Sequence, residues 1–109
     1  MDVEVTKVER HSEVHVKGEV DLATAPELHE SLGGFEPADG PLIVDLSDVA
    51  FLDSSGLSVL VRCHQHLDSN GSGLRLVVTR PTILRVLDAT GLAEVLDVYA
   101  TLEDARRGL

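Results

Sequence analysis

The stretch that decides the fold is residues 42–57, which read LIVDLSDVAFLDSSGL. Its opening apolar run, residues 42–46, predicts a strand in the middle of a sheet, where both faces are covered. Its closing tetrapeptide, Asp-Ser-Ser-Gly at residues 53–56, stands immediately before a change of spacing. From Ser54 onward the apolar positions follow the 3.6-residue repeat of a helix, at Leu57, Leu60, Val61, His64 and Leu67. The stretch therefore predicts a strand, a tight polar turn and a long amphipathic helix.

The tetrapeptide itself has two interpretations. The first backbone N–H groups of a helix have no partner inside the helix, and the macrodipole adds partial positive charge there. Asp and Ser are common N-caps, so the tetrapeptide fits a capped helix start. A serine hydroxyl at the same place is also well situated for phosphorylation. The free N–H groups would stabilise the charge of about −1.5 to −2 that the phosphate adds. Spacing alone does not choose between the two.

Upstream of this stretch, alternating valines predict two strands that form an antiparallel hairpin, each with one buried face. The polar residues 10–13 would connect the two strands. Thr24 followed by Pro26 predicts the capped start of a helix, which ends at Gly33 and Gly34. The alternating valines are Val3, Val5, Val8, Val14, Val16 and Val20.

Downstream, strands and helices continue to alternate, which predicts an α/β fold with helices covering a sheet. The length of 109 residues fits one domain over residues 1–109. The expected segments are a break at residues 69–73, strands at residues 74–78 and 95–99, a helix from Pro81 to Gly91, and a last helix at residues 102–109.

The composition excludes several classes of protein. Nine Lys and Arg against 19 Asp and Glu leave a net charge of −10, which disfavours direct binding to nucleic acid. The single cysteine, Cys63, excludes an internal disulfide and suits a reducing compartment. No apolar run approaches the ~20 residues of a membrane span, and no secretory signal is visible in the opening residues. We therefore expect a cytoplasmic domain that does not enter a membrane.

Other chemistries have weaker support in the sequence. His64 and His66 stand two residues apart on the predicted helix and point in different directions, so we expect no metal site. Cys63 has no identifiable base beside it, and Ser54 lacks the G-x-S-x-G context of a hydrolase nucleophile. Asp53 follows a central strand, as the phosphate-accepting aspartates of receiver domains do. Receiver domains also need a lysine after the last strand, and this sequence has no lysine after Lys17. We expect no cofactor.

Residues 42–57 closely resemble the signature of the STAS domain, and more narrowly that of the bacterial anti-sigma factor antagonists. Three further stretches agree, in order, and extend the resemblance over essentially the whole chain. The resemblance implies a STAS-like fold, in which about four helices cover a mixed sheet of four to five strands. The three stretches are residues 18–22 (GEVDL) with Thr24 and Ala25, residues 80–87, and residues 88–92 (DATGL).

The resemblance implies a partner switch rather than catalysis. In the family, the unphosphorylated antagonist binds an anti-sigma factor that is also a serine kinase, and so releases a sigma factor. The kinase phosphorylates the first serine of the tetrapeptide, here Ser54, and a metal-dependent Ser/Thr phosphatase reverses the step. On this chain Asp53 would shape the loop, Ser55 would cap or support the helix, and Gly56 would let the partner approach closely. Asp21 matches an acidic position that contacts the partner.

Two alternatives stay open at this point. Asp21 also fits a turn or capping residue ahead of Thr24. STAS domains also serve as scaffolds or accessory subunits in sensory and transporter complexes, where serine phosphorylation can be absent. The intact Asp-Ser-Ser-Gly favours the phosphorylation switch, and the scaffold is the second hypothesis.

Overall fold

In the computed structural model, which describes residues 1–68 and 73–109, strands and helices alternate along the chain. The break predicted at residues 69–73 falls almost entirely outside the described ranges. The elements are β1 (Asp2–Lys7), β2 (Ser12–Val20), α1 (Ala25–Gly33), a 3-10 turn (Pro37–Asp39), β3 (Leu42–Leu52), α2 (Ser54–Asp68), β4 (Leu74–Val77), α3 (Pro81–Thr90), β5 (Asp97–Tyr99) and α4 (Leu102–Arg106).

The five strands form one sheet in the order β1-β2-β3-β4-β5. The β1–β2 pair is antiparallel, and the three other pairs are parallel. This confirms the predicted α/β fold, the mixed sheet and the N-terminal hairpin. The expected buried face of the first strand is wrong for Val5 and Val8, which are 50% and 44% exposed, because β1 is an edge strand and Val8 lies beyond its end.

One large core lies between the sheet and the helices α1, α2 and α3. The predicted valines of β2 point into it, together with apolar side chains of β3 and the inward faces of the helices. On the opposite face of the sheet, Ala105 of α4 packs with Ile43 and Val77 in a smaller cluster. The described residues include no helix with the length and hydropathy needed to cross a bilayer. The main core includes Val14, Val16, Val20, Leu28, Leu32, Val44, Leu46, Leu60, Leu76, Ile83 and Leu87.

The central strand β3 extends six residues further than the predicted strand at residues 42–46. Its register against β2 shifts twice, between His15 and Lys17 and again between Gly18 and Glu19, and each shift inserts an extra residue into β3. Such bulges break the period-2 alternation, so Ala50 and Phe51 are both exposed in succession. The extension carries the chain past β4, which pairs with β3 only as far as Asp45.

The remaining boundaries are close to the predicted ones. Helix α1 ends at Gly33, and α3 begins at Pro81 and ends before Gly91, whose φ of 77° is left-handed. This conformation favours glycine after a helix. The last strand and the last helix are shorter than predicted, since β5 begins at Asp97 and α4 ends at Arg106.

Glu13 joins the C-terminal helix to the sheet. Its carboxylate oxygens accept hydrogen bonds from Nε and Nη2 of Arg106 at 2.6 and 2.7 Å, and His11 Nε2 lies 2.8 Å from Oε2. The Glu13 side chain is only 12% exposed. The hydrogen bonds from Arg106, and secondly the contact with His11, hold the pKa of Glu13 below its ordinary value of 4.5, against the opposing effect of burial.

We expect Glu13→Gln to lower the stability of the domain by about 1 kcal/mol at pH 7, a loss of about 4 °C in melting temperature. Because the pKa of Glu13 is lowered by folding, its stabilisation is fully present above 4.5 and is lost as the pH falls through the folded-state pKa. The difference between variant and wild type in urea unfolding should therefore shrink as the pH falls below 4.5. Glu4→Gln, at an exposed position of β1, is the control; an equal loss there would contradict the assignment.

Candidate functional site

The candidate site lies where two adjacent parallel strands end. Val20 at the end of β2 pairs with Leu52 at the end of β3, so Asp21 and Asp53 leave the sheet side by side. The Asp53 N–H donates to the carbonyl oxygen of Val20 at 3.1 Å, which ties the two chain segments together beyond the sheet. The carboxyl ends of parallel strands are where α/β folds place their functional loops. The structure thus brings the predicted residues 53–56 and Asp21 to one edge.

Asp53 caps helix α2. Its Oδ1 accepts hydrogen bonds from the N–H groups of Ser55 at 2.9 Å and Gly56 at 3.3 Å. Its carbonyl oxygen accepts the Leu57 N–H at 3.0 Å. Asp53, two residues before Ser55, already holds these N–H groups, so the capping role expected for Ser55 is wrong, and its alternative role in supporting the helix stays a prediction. The sequence had led us to expect free N–H groups that could receive a phosphate. Because Asp53 already accepts from the N–H groups of Ser55 and Gly56, these two are not free to do so.

Ser54 is the first residue of α2, and it is exposed. Its carbonyl oxygen accepts a hydrogen bond from the Ser58 hydroxyl one turn further along, at 2.9 Å. The residue borders a shallow groove of about 370 Å³ between α2 and the end of α3, with Leu57 and Thr90 among its lining. Ser54 is thus exposed to solvent and directly follows a capping carboxylate.

Gly56 is buried, which corrects the role expected for it. A Cβ added at this position would lie 2.5 Å from Leu52 Cδ1 and 2.6 Å from Val20 Cγ1. The absence of a side chain therefore lets the first turn of α2 rest on the ends of β2 and β3. The close approach that Gly56 permits is to the sheet of its own domain and not to a partner.

Asp21 organises the turn between β2 and α1. Its Oδ1 accepts hydrogen bonds from the N–H groups of Ala23 at 2.9 Å and Thr24 at 3.1 Å, and its carbonyl oxygen accepts the Ala25 N–H at 2.7 Å. The Thr24 hydroxyl accepts the Asp21 N–H at 2.9 Å and donates to the carbonyl oxygen of Glu19 at 2.9 Å. It makes no hydrogen bond to the first N–H groups of α1, so the prediction that Thr24 caps this helix with its side chain is wrong. Asp21 is half-buried, and a role in partner contact stays a prediction.

The surroundings of the cysteine and of two histidines bear on whether they could act as a nucleophile or as metal ligands. Cys63 is half-buried against the core, and burial raises the pKa of its thiol to about 11, which keeps the sulfur protonated and unreactive at neutral pH. His64 has a buried Nδ1, and His66 Nε2 lies 3.2 Å from a carboxylate oxygen of Glu36. Within residues 1–68 and 73–109, no three His, Cys, Asp or Glu side chains are grouped closely enough to hold a metal ion.

Two residues of this surface, Ser58 and Arg62, are not among those predicted from the sequence. Ser58 and Arg62 follow Ser54 at intervals of four, and both border the same groove. The exposed Leu22, 78% accessible, lies beside α2 in a second shallow groove that Ser58 and Arg62 also line. The sequence does contain a pattern that indicates them, because Ser54, Ser58 and Arg62 are polar residues spaced by four and so share one face of a helix.

Comparison with known proteins gives a consistent result. The STAS domain family matches residues 2–105. An anti-sigma-B factor antagonist of Bacillus subtilis (strain 168) is 32% identical over 103 residues, which cover 94% of this chain and 94% of that protein. The crystal structure of an anti-sigma factor antagonist from Mycobacterium paratuberculosis has 36% identity and a TM-score of 0.86, over 95% of this chain and 89% of that chain. The unphosphorylated form of the anti-sigma factor antagonist SpoIIAA, at 19% identity, shares the fold with a TM-score of 0.74 over 99% of this chain and 100% of that chain.

We expect Gly56→Ala to destabilise the domain by about 1–3 kcal/mol, because the new methyl group would overlap Leu52 and Val20. Gly33→Ala, at the end of α1, is the matched control, since no atom lies within 4 Å of an added Cβ. Chemical denaturation of both variants measures the difference. Equal stability of the two variants would show that the first turn of α2 does not depend on this contact.

Proposed function

The chain belongs to the STAS domain family, and on that premise we propose that it is an anti-sigma factor antagonist controlled by phosphorylation of Ser54. In its unphosphorylated form it binds an anti-sigma factor that is also a serine kinase, and so releases a sigma factor. The kinase transfers a phosphoryl group from ATP to the Ser54 hydroxyl, and the complex dissociates. A metal-dependent Ser/Thr phosphatase removes the phosphate and restores binding.

The observation that carries this proposal is the accessibility of Ser54 directly beside the Asp53 carboxylate. Phosphorylation replaces a small neutral hydroxyl by a group of charge about −1.5 to −2. Two N–H groups in the first turn of α2, those of Ser55 and Gly56, are already hydrogen-bonded to Asp53. A partner that covered this face would have to desolvate the phosphate next to a like charge, which costs binding free energy without any refolding.

The same surface supports a binding protein rather than an enzyme. The half-buried Cys63 thiol has a raised pKa, and the Asp53 carboxylate is engaged as a cap, so neither is activated for covalent chemistry. The kinase, its ATP and the sigma factor would all be cytoplasmic, which places this protein in the cytoplasm. A scaffold in a sensory or transporter complex would use the same fold without the phosphate, and the experiment below separates the two.

We expect the cognate anti-sigma factor kinase, incubated with ATP and this protein, to add one phosphate that mass spectrometry maps to Ser54. Ser54→Ala should accept none and still bind the kinase, because alanine keeps a small neutral surface. Ser54→Asp should bind less tightly than Ser54→Ala, since one carboxylate supplies about half of the charge of phosphoserine.

Ser55→Ala is the matched control, because it removes the neighbouring hydroxyl and leaves the backbone hydrogen bond to Asp53 in place. It should be phosphorylated like the wild type. Phosphate on Ser55 or Asp53 would overturn the assignment to Ser54. Wild-type protein that neither binds the kinase nor accepts phosphate would point instead to the scaffold.

Asp21→Asn should weaken binding of the same kinase about tenfold, because a charged hydrogen bond across an interface is lost. Its stability should change little, because the asparagine Oδ1 can still accept from the N–H groups of Ala23 and Thr24. Asp21→Ala removes that acceptor as well, so its melting temperature should fall. If Asp21→Asn binds with wild-type affinity, the carboxylate serves the turn alone and does not contact the partner.

A further inference from the structure

Three shallow grooves flank helix α2, and Arg62 borders all of them. The first, of about 370 Å³, is the one that Ser54 lines. The second, of about 430 Å³, lies towards the start of α1 and includes Leu22. The third, also of about 370 Å³, lies further along the α1–α2 pair and includes Cys63. A partner that lay along α2 would therefore pass over Arg62 whichever groove it filled.

The positive charge of Arg62 has no ion-pair partner among the described residues of the domain. In the part of the chain that the structure describes, neither an ion pair nor a hydrogen bond engages its guanidinium, although the protein has 19 Asp and Glu. Four other arginines are held in the fold: Arg106 and Arg107 bind carboxylates, Arg75 binds the carbonyl oxygens of Ala105 and Arg107, and Arg80 binds that of Ser47. Arg10 and Arg85 also lack such a partner among the described residues, but neither borders any of the three grooves.

Arg62 belongs to the same face of α2 as Ser54. Ser54, Ser58 and Arg62 are spaced by four residues, so their side chains follow one another along the helix surface, about 12 Å from first to last. Side chains on a helix lean towards its N-terminus, which brings the guanidinium towards Ser58. The exposed face is thus polar along its length, negative at the Asp53 end and positive at Arg62.

We propose that Arg62 is a second anchor of the partner interface, and that the anti-sigma factor presents a carboxylate to it. This inference rests on the proposed function and adds the chemistry of the contact. The domain has a net charge of −10, which disfavours the approach of an acidic group, and among the described residues Arg62 is the one Arg or Lys that lines the three grooves and can accept it there. The ion pair would fix the position of the partner along α2, with its other end over Ser54.

The test compares four purified proteins for binding of the anti-sigma factor kinase: wild type, Arg62→Ala, Arg62→Lys and Arg85→Ala. Arg85 is the matched control, because it is exposed on α3, engages no carboxylate in the described residues, and borders none of the three grooves. We expect Arg62→Ala to raise the Kd about tenfold or more, Arg62→Lys to raise it less, and Arg85→Ala to leave it unchanged. Melting temperatures should be equal for all four.

Salt provides a second readout. The affinity of the wild type should fall with added NaCl more steeply than that of Arg62→Ala, because an exposed ion pair is screened. Equal Kd values for Arg62→Ala and Arg85→Ala, with tight wild-type binding, would overturn the role of Arg62 and leave the proposed function standing. A wild-type protein that does not bind the kinase would overturn the proposed function, and the role of Arg62 with it.

Discussion

The close approach of the first turn of α2 to the ends of β2 and β3 is the constraint on which the site depends. Gly56 makes it possible, since any larger residue would overlap Val20 and Leu52. The backbone hydrogen bond from Asp53 to Val20 fixes the same approach from the side of the loop. With the third residue of the helix pressed onto the sheet, the first residue, Ser54, faces outward. The exposure of the serine and the burial of the glycine are two consequences of one packing contact.

Two aspartates at neighbouring strand ends have the same role, which is to accept hydrogen bonds from the backbone N–H groups of the turn that follows. Asp21 and Asp53 each place Oδ1 against two backbone N–H groups; Asp21 stands four residues before the start of α1, and Asp53 immediately precedes α2. Satisfying these N–H groups is what allows two chain reversals to lie side by side without burying unpaired polar groups. The arrangement also concentrates negative charge at one edge of the domain. Ser54, which directly follows Asp53, therefore stands beside a negative charge before any modification.

The sequence predicted the order of the elements because apolar residues repeat with the period of each strand and helix. It did not predict the second half of β3, where two bulges interrupt the alternation and expose Ala50 and Phe51 together. The family resemblance implied that Ser55 would cap or support the helix, but adjacent Asp and Ser residues are equally good caps, and only the geometry shows that Asp53 is the cap. For Gly56 the need for a close approach was clear, but a sequence does not say whether the approaching surface is a partner or the domain's own core.

These local facts are the physical basis of the proposed phosphorylation switch at this edge of the fold. A phosphate at a helix N-terminus usually gains stabilisation from unpaired N–H groups. Here Asp53 already occupies the N–H groups of Ser55 and Gly56, so an added phosphate finds fewer donors within the domain. A partner that covered the phosphate would have to desolvate it beside the Asp53 carboxylate, and this cost would reduce the free energy of binding. The packing of Gly56 and of the apolar residues behind it holds α2 in place, so the proposed change of charge would act on the partner without a movement of the backbone.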